Sequence, residues 1–105
     1  MLGWLRKKSA RTAATVSPDA VFRRAAHVSA AREGERTVLL NPEAGEYLGL
    51  DEVATRVWEL LDGATPVHAI VAALEAEYDA PRDRLEADVA ALVGKLCALG
   101  VIEAA

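Results

Sequence analysis

Apolar residues return at helical spacing three times in the second half of the chain. In DEVATRVWELLDG, Val53, Val57, Trp58 and Leu61 fall on one helical face, with Asp51 placed to cap the start and Gly63 to end the helix. In TPVHAIVAALEAEY the stripe is Val67, Ile70, Val71, Leu74 and Tyr78, with Thr65 as cap and Pro66 at the first helical position. A third helix spans about residues 81–99: Leu85, Val89, Leu92, Leu96 and Leu99 lie four, three, four and three apart, and Gly100 supplies the stop.

Upstream the period shortens to that of strands. A weakly signalled strand at 24–30 is followed by REGE, where Gly34 can take the positive φ of a tight turn. RTVLL, residues 36–40, is β-branched and apolar, and NPEAG ends it through Pro42 and Gly45. Residues 46–50, EYLGL, form the third strand, and connections this short predict an antiparallel meander. Strands followed by segregated helices define an α+β, winged-helix-like domain: a three-stranded antiparallel sheet followed by three α-helices that cover one face.

Residues 1–20 carry no such period and read as a flexible basic arm, leaving 21–105 as the folded domain. Leu2, Trp4 and Leu5 beside Arg6, Lys7 and Lys8 have the makings of a sticker for a membrane surface or a partner, although a mobile solubilising tail is the simpler reading.

Composition narrows the function class. A chain of 105 residues, 52% hydrophobic and 27% charged, fits one soluble domain with one small core. The N-terminus lacks the apolar stretch of a secretory signal, so the expectation is cytoplasmic. Cys97 stands alone, which excludes an internal disulfide and a thiolate metal cluster. Residues 1–36 hold eight Lys/Arg against three Asp/Glu, and residues 37–105 hold four against thirteen, so a +5 segment precedes a −9 segment.

Catalytic patterns are missing from the sequence. His27 and His68 are isolated, and Cys97 sits beside the apolar stripe as an inert buried thiol. Serines at 9, 17 and 29 have no nucleophile-elbow context, and the glycines build no phosphate loop. Glu75, Glu77, Asp79, Asp83, Glu86 and Asp88 suit solvated faces. The expectation is a binding module, not an enzyme, with neither cofactor nor metal. A winged-helix DNA-binding regulator is the alternative. Against it and against a nucleic-acid partner, Arg82, Arg84 and Lys95 on the third helix are matched by Asp83, Glu86 and Asp88.

The strand at 46–50 is last in its meander, so its outer edge offers amide donors and carbonyl acceptors to another chain. Five residues give roughly 17 Å of edge, and residues 85–96 of the third helix span a similar roughly 18 Å. Side by side they make a groove for five or six residues of extended peptide, which would bind by β-augmentation. Two buried anchors at about 3 to 6 kcal/mol, ladder bonds at about 0.5 to 1.5 each and an ordering cost of about 2 to 5 give micromolar binding or somewhat tighter. From the residues alone, that edge could equally be covered by the helices, the first strand, the arm or a second copy.

LLNPEAGEYLGLDEVATRVWELLDG with IVAALEAEYDAPRDRLEADVAALVGKLCALGVI resembles the PqqD-like family, the precursor-peptide recognition elements of ribosomally made, modified peptides. The resemblance covers about residues 22–103 and lies in the aromatic third strand leading to Leu50, in Trp58 with LLDG, in Tyr78, and in Asp88, Val89, Leu92, Leu96 and Gly100. It implies a cofactor-free adaptor that holds a precursor's leader segment as an added strand and delivers it to a separate enzyme. Carried over by position, Glu46, Tyr47, Leu48 and Gly49 offer the edge. Asp88, Leu92 and Lys95, joined by Arg84 and Ala91, line the helical wall. Trp58 and Asp51 make the chain similar to the stand-alone elements of lasso-peptide biosynthesis, whose partners would be a leader peptidase and a leader with a Tyr-x-x-Pro pattern. A PqqD-type peptide chaperone for a radical enzyme is the alternative within the family.

Overall fold

Along Arg36–Asn41 burial alternates, with Thr37, Leu39 and Asn41 buried and the residues between them turned outward, so one face of this strand rests on the core. The computed structural model describes residues 16–105, and the Leu2, Trp4, Leu5 cluster with its basic neighbours lies outside them. Among the described residues the elements are β1 (Val21–Arg24), β2 (Ser29–Glu33), β3 (Arg36–Asn41), β4 (Glu46–Leu50), α1 (Glu52–Leu60), β5 (Asp62–Pro66), α2 (Val67–Glu77), α3 (Arg82–Ala98) and β6 (Ile102–Ala104). The expected meander is the antiparallel sheet β2-β3-β4, and the three expected helices follow it. The fold class is α+β.

A second small sheet, in the order β5-β1-β6, is absent from the sequence-based expectation. The strand expected at 24–30 is two strands, because the chain turns between Arg24 and Ser29 and each half joins a different sheet. β1 lies between β5 and β6, with Val21 opposite Pro66 and Arg23 opposite both Asp62 and Glu103. The amide of Ala105 donates to the carbonyl of Val21 at 3.0 Å, extending that pairing to the last residue.

Helix ends show which local signals decided. Asp51 caps α1 as expected, accepting from the Ala54 amide at 2.9 Å. α1 closes at Leu61, two residues before Gly63, and Arg24 donates to its terminal carbonyls of Trp58 and Glu59 at 3.2 Å each. The Arg24 guanidinium also lies 6.0 Å from the Trp58 ring centroid. Thr65, expected to cap α2, belongs to β5, and Pro66 occupies the cap position without a side-chain bond. Carbonyls upstream of β1 do that work: Val67 donates to Ala20 at 3.0 Å and His68 to Pro18 at 2.9 Å. α3 stops at Gly100, whose φ of 73° allows the amides of Gly100 and Val101 to reach back to the carbonyls of Cys97 and Leu96.

Leu39 and Leu50 of the sheet meet Val57, Trp58 and Leu61, the α2 stripe, the α3 stripe, and Val101 and Ile102 in one core. Cys97 is exposed, contrary to the expectation of burial: it follows Leu96 by one residue, about 100° around the helix and off the buried seam. Local shielding of its sulfur still raises the thiol pKa, so it stays protonated at neutral pH.

α1 is braced against α2 at the surface. Arg56 holds Glu77 through both forks, Nε to Oε1 and Nη2 to Oε2 at 2.9 Å each, and the Tyr78 hydroxyl donates to Glu52 at 3.0 Å. The bond from Arg56 holds the Glu77 carboxyl below its ordinary pKa of 4.5. Bonds from the Ala64 amide, the Thr65 hydroxyl and the Thr65 amide hold Asp62 below its ordinary 3.8. Depressed carboxyl pKa values stabilise the fold above the unfolded-state pKa, and that stabilisation is lost as pH falls through the folded-state values. Thermal melts should therefore show a midpoint that drops on acidification below pH 4.5. In Glu77→Gln the drop should be shallower.

Candidate functional site

β2 and β3 are joined by a two-residue turn in which Gly34 has a φ of 64° and Glu35 stays at negative φ, the pattern of a type II′ hairpin. Its closing pair, Glu33 and Arg36, exchanges backbone bonds, and the register runs without a bulge to Ser29 opposite Leu40. Strict alternation then aims the backbone groups of Arg36, Val38 and Leu40 at β2, and those of Thr37, Leu39 and Asn41 at β4. Their partners on β4 are Leu50, Leu48 and Glu46. The amides and carbonyls of Tyr47 and Gly49 consequently point away from β3, along an edge that no described strand pairs with. By the same count Ala30 and Arg32 face outward from β2, the other edge of the sheet.

Side chains divide the other way. Glu46, Leu48 and Leu50 share the inner face with Leu39, whereas Tyr47 and Gly49 face out. Tyr47 is 75% exposed and lies across from Leu40. At the inner side of the edge, between β4 and the C-terminal end of α3, is a cavity of about 190 Å³. Leu39, Leu48, Leu99 and Val101 give it apolar lining, and Asn41, Glu46 and Lys95 contribute its polar groups.

Of the residues predicted from sequence, Glu46, Tyr47, Leu48 and Lys95 are thus brought together, and Gly49 continues the same edge. Arg84, Asp88, Ala91 and Lys95 are four, three and four apart, one face of α3 that leads toward the cavity. Only Lys95 of these four lines it. Arg84 and Asp88 lie farther up the helix as an exposed pair at 4.0 Å. Leu92 is 5% exposed and Ala91 9%, so Leu92 supports the wall from within the core.

Asn41, Leu99 and Val101 escape sequence reasoning as site residues, as does Leu39. Asn-Pro reads as a turn, Leu99 as one more member of the α3 stripe, and Val101 as the residue after a stop. A second cavity of about 170 Å³ lies between α2 and α3, bounded by Val16, Val67, His68, Val71, Arg82 and Ala90 among others, and shares no residue with the first.

Chemically, the site can hydrogen-bond an extended backbone along β4 and bury an apolar side chain beside it. Among the described residues no group of three or more His, Cys, Asp and Glu is placed to hold a metal ion, and no helix is long and apolar enough to cross a membrane.

The profile of the family described as coenzyme PQQ synthesis protein D (PqqD) matches residues 36–102. Among curated proteins, the PqqA binding protein of Rhodopseudomonas palustris strain CGA009 is 40% identical over 68 residues, 65% of this chain and 65% of that protein. The PqqA binding protein of strain TIE-1 is 38% identical over the same share of each. The match thus spans just under two thirds of those relatives' length. Among solved structures, TbiB1 in complex with the TbiA(beta) leader peptide is similar with a TM-score of 0.72 and 32% identity, over 77% of this chain and 94% of that one. Lasso peptide synthetase B1 complexed with the leader peptide has a TM-score of 0.72 and 31% identity, over 80% and 99%.

The placement of the α3 residues separates support from surface. Leu92→Ala should cost about 2 to 5 kcal/mol of unfolding free energy, as truncations in a packed core do. Arg84→Ala should stay within about 0.5 kcal/mol of the parent. Urea denaturation of the two variants checks both.

Proposed function

Because the chain belongs to the PqqD family, we propose that it is a non-catalytic adaptor: it binds the leader region of a ribosomally synthesised precursor peptide as a strand added to β4 and presents it to a separate enzyme. The observation that carries this reading is the coincidence of an unpaired β4 edge with an apolar cavity on its inner side. The edge supplies register through the backbone of Tyr47 and Gly49. Leu48 and the cavity walls supply selectivity for an apolar side chain, and Glu46 and Lys95 orient charged neighbours of that side chain. Asp88 and Arg84 extend the helical wall toward the far end of the guest.

Two kinds of relative support the reading. The curated proteins are named for binding PqqA, and both solved neighbours are described as complexes with a leader peptide. One solved neighbour is described as a lasso peptide synthetase B1, which supports the reading of this chain as a stand-alone lasso-peptide element that would work with a leader peptidase in the cytoplasm. The family name favours a second reading on the same site, a PqqD-type chaperone for a radical enzyme. On either reading the chemistry belongs to the partner enzyme, and the shielding that raises the Cys97 thiol pKa disfavours the thiolate a nucleophile needs.

A proline on the edge tests this. Gly49→Pro removes an outward amide while leaving the bonds to β3 in place, a substitution that edge strands accommodate. Binding of a precursor leader that the parent chain recognises, followed by calorimetry, should weaken at least about tenfold, the loss of one or more ladder bonds. Ala30→Pro, which removes the equivalent amide from the β2 edge, should leave affinity unchanged. Unchanged affinity in a folded Gly49→Pro chain, or equal loss in both variants, would contradict strand addition at β4.

A further inference from the structure

Asn41 is a buried polar side chain, 6% exposed, at the last position of β3. Both ends of its amide are engaged. Nδ2 donates to the carbonyl of Leu99 at 3.2 Å, and Oδ1 accepts from the amide of Glu43 at 3.2 Å. Only this orientation of the amide matches a donor with the carbonyl and an acceptor with the N–H. Leu99 is the C-cap of α3, so its carbonyl is one of those a helix leaves without an internal partner.

The position of this bond matters more than its existence. Leu99 and Val101 from the end of α3, Leu48 and Glu46 from β4, and Asn41 from β3 all line the 190 Å³ cavity. The bond therefore joins two residues of the cavity lining, one on the β3–β4 hairpin and one at the end of α3. β3 and β4 pack chiefly on α1, so Asn41 is a point where the hairpin is tied to the other wall. An apolar residue of similar size would fill the space while leaving the Leu99 carbonyl and the Glu43 amide without this partner.

We propose that Asn41 is a positioning residue that gauges the guest: by fixing the separation of the β3–β4 hairpin and the end of α3, it sets the largest side chain the cavity admits. The inference rests on the peptide-binding reading above and names what that site selects. An apolar cavity of about 150 Å³ takes a benzene ring, so one of about 190 Å³ that opens to solvent suits an aliphatic or single-ring side chain, and a double ring presses hardest on its walls. The ligand class is thus a peptide strand with Leu, Ile, Met or Phe, in preference to Trp, at the position that enters beside Leu48.

The test compares ratios. The leader that binds the parent chain is scanned with alanine to find the position whose loss weakens binding most, then remade with Phe or Trp there. With the parent chain the Trp peptide should bind at least about tenfold more weakly than the Phe peptide, the usual penalty for overfilling a packed site. Asn41→Asp keeps the shape, loses the donor and sets a carboxylate against the Leu99 carbonyl. The Trp-to-Phe ratio of dissociation constants should then fall to within about threefold at pH 7. At a pH low enough to protonate the introduced carboxylate, the restored O–H can donate to that carbonyl, and the ratio should climb back. Glu43 and Glu46 lie beside position 41 in both chains, so the parent measured at both pH values is the control.

Asn41→Ser, which is neutral but too short to span, should behave like the aspartate variant at pH 7 and show no recovery in acid. Equal weakening of both peptides, with the ratio unmoved, would make Asn41 a structural prop and overturn the gauge while leaving peptide binding intact. Failure of both variants to fold, seen by circular dichroism, would overturn it equally. Absence of leader binding by the parent would overturn the peptide-binding reading, and the gauge with it.

Discussion

A strand inside a sheet satisfies its backbone on both sides, whereas among the described residues β4 pairs on one side only, and the proposed function depends on the other side. The amides and carbonyls of Tyr47 and Gly49 point where no described element pairs with them. Solvent covers them at little cost, but the same row is a template for any extended chain that arrives. Immediately after Leu50 the Asp51 cap starts α1, which takes the chain beneath the sheet instead of past its edge. The two ends of the described chain are engaged elsewhere: β1 and β6 lie side by side in the second sheet, and Ala105 is bonded to Val21.

An open edge is useful only if it is held still. α1 carries β3 and β4, and it is fixed at its start by Asp51, at its end by Arg24, and along its flank by the Arg56 bond to Glu77. α3, the opposite wall, ends in a turn that buries Leu96 and Val101 together and hands the Leu99 carbonyl to Asn41. Such a site meets its ordering cost during folding, so on the proposed reading a guest strand would give up mainly its own freedom on binding.

How much of this the amino-acid sequence reveals depends on the range of the interaction. Alternation in residues 36–41 and the repeats of three and four in the helices are local, and they place the main sheet, the three helices and the edge at Glu46 to Gly49. The second sheet is not local. β1 and β6 have four and three residues, and β5 carries Gly63 and Pro66, so none has enough length or alternation to register before its distant partner is known. Thr65 reads as a cap because the carbonyls of Pro18 and Ala20, which take that role, come from almost fifty residues away. Cys97 reads as buried because it neighbours Leu96 in the chain, and one step around a helix carries it off the seam. At the site, Lys95 can be reached from helical spacing, whereas Asn41 becomes a site residue only through its bond to Leu99, 58 positions on.

The central claim is that the outward amides of β4 stand available to a guest, and residue-resolved hydrogen exchange reads this most directly. In the chain alone, the amides of Tyr47 and Gly49 should exchange at least about a hundredfold faster than that of Leu48, which is bonded to β3, because edge positions open without unfolding the sheet. Saturating leader peptide should slow Tyr47 and Gly49 to the rate of Leu48. Equal protection of all three before any peptide is added, or fast exchange at Tyr47 and Gly49 with the peptide bound, would contradict the account.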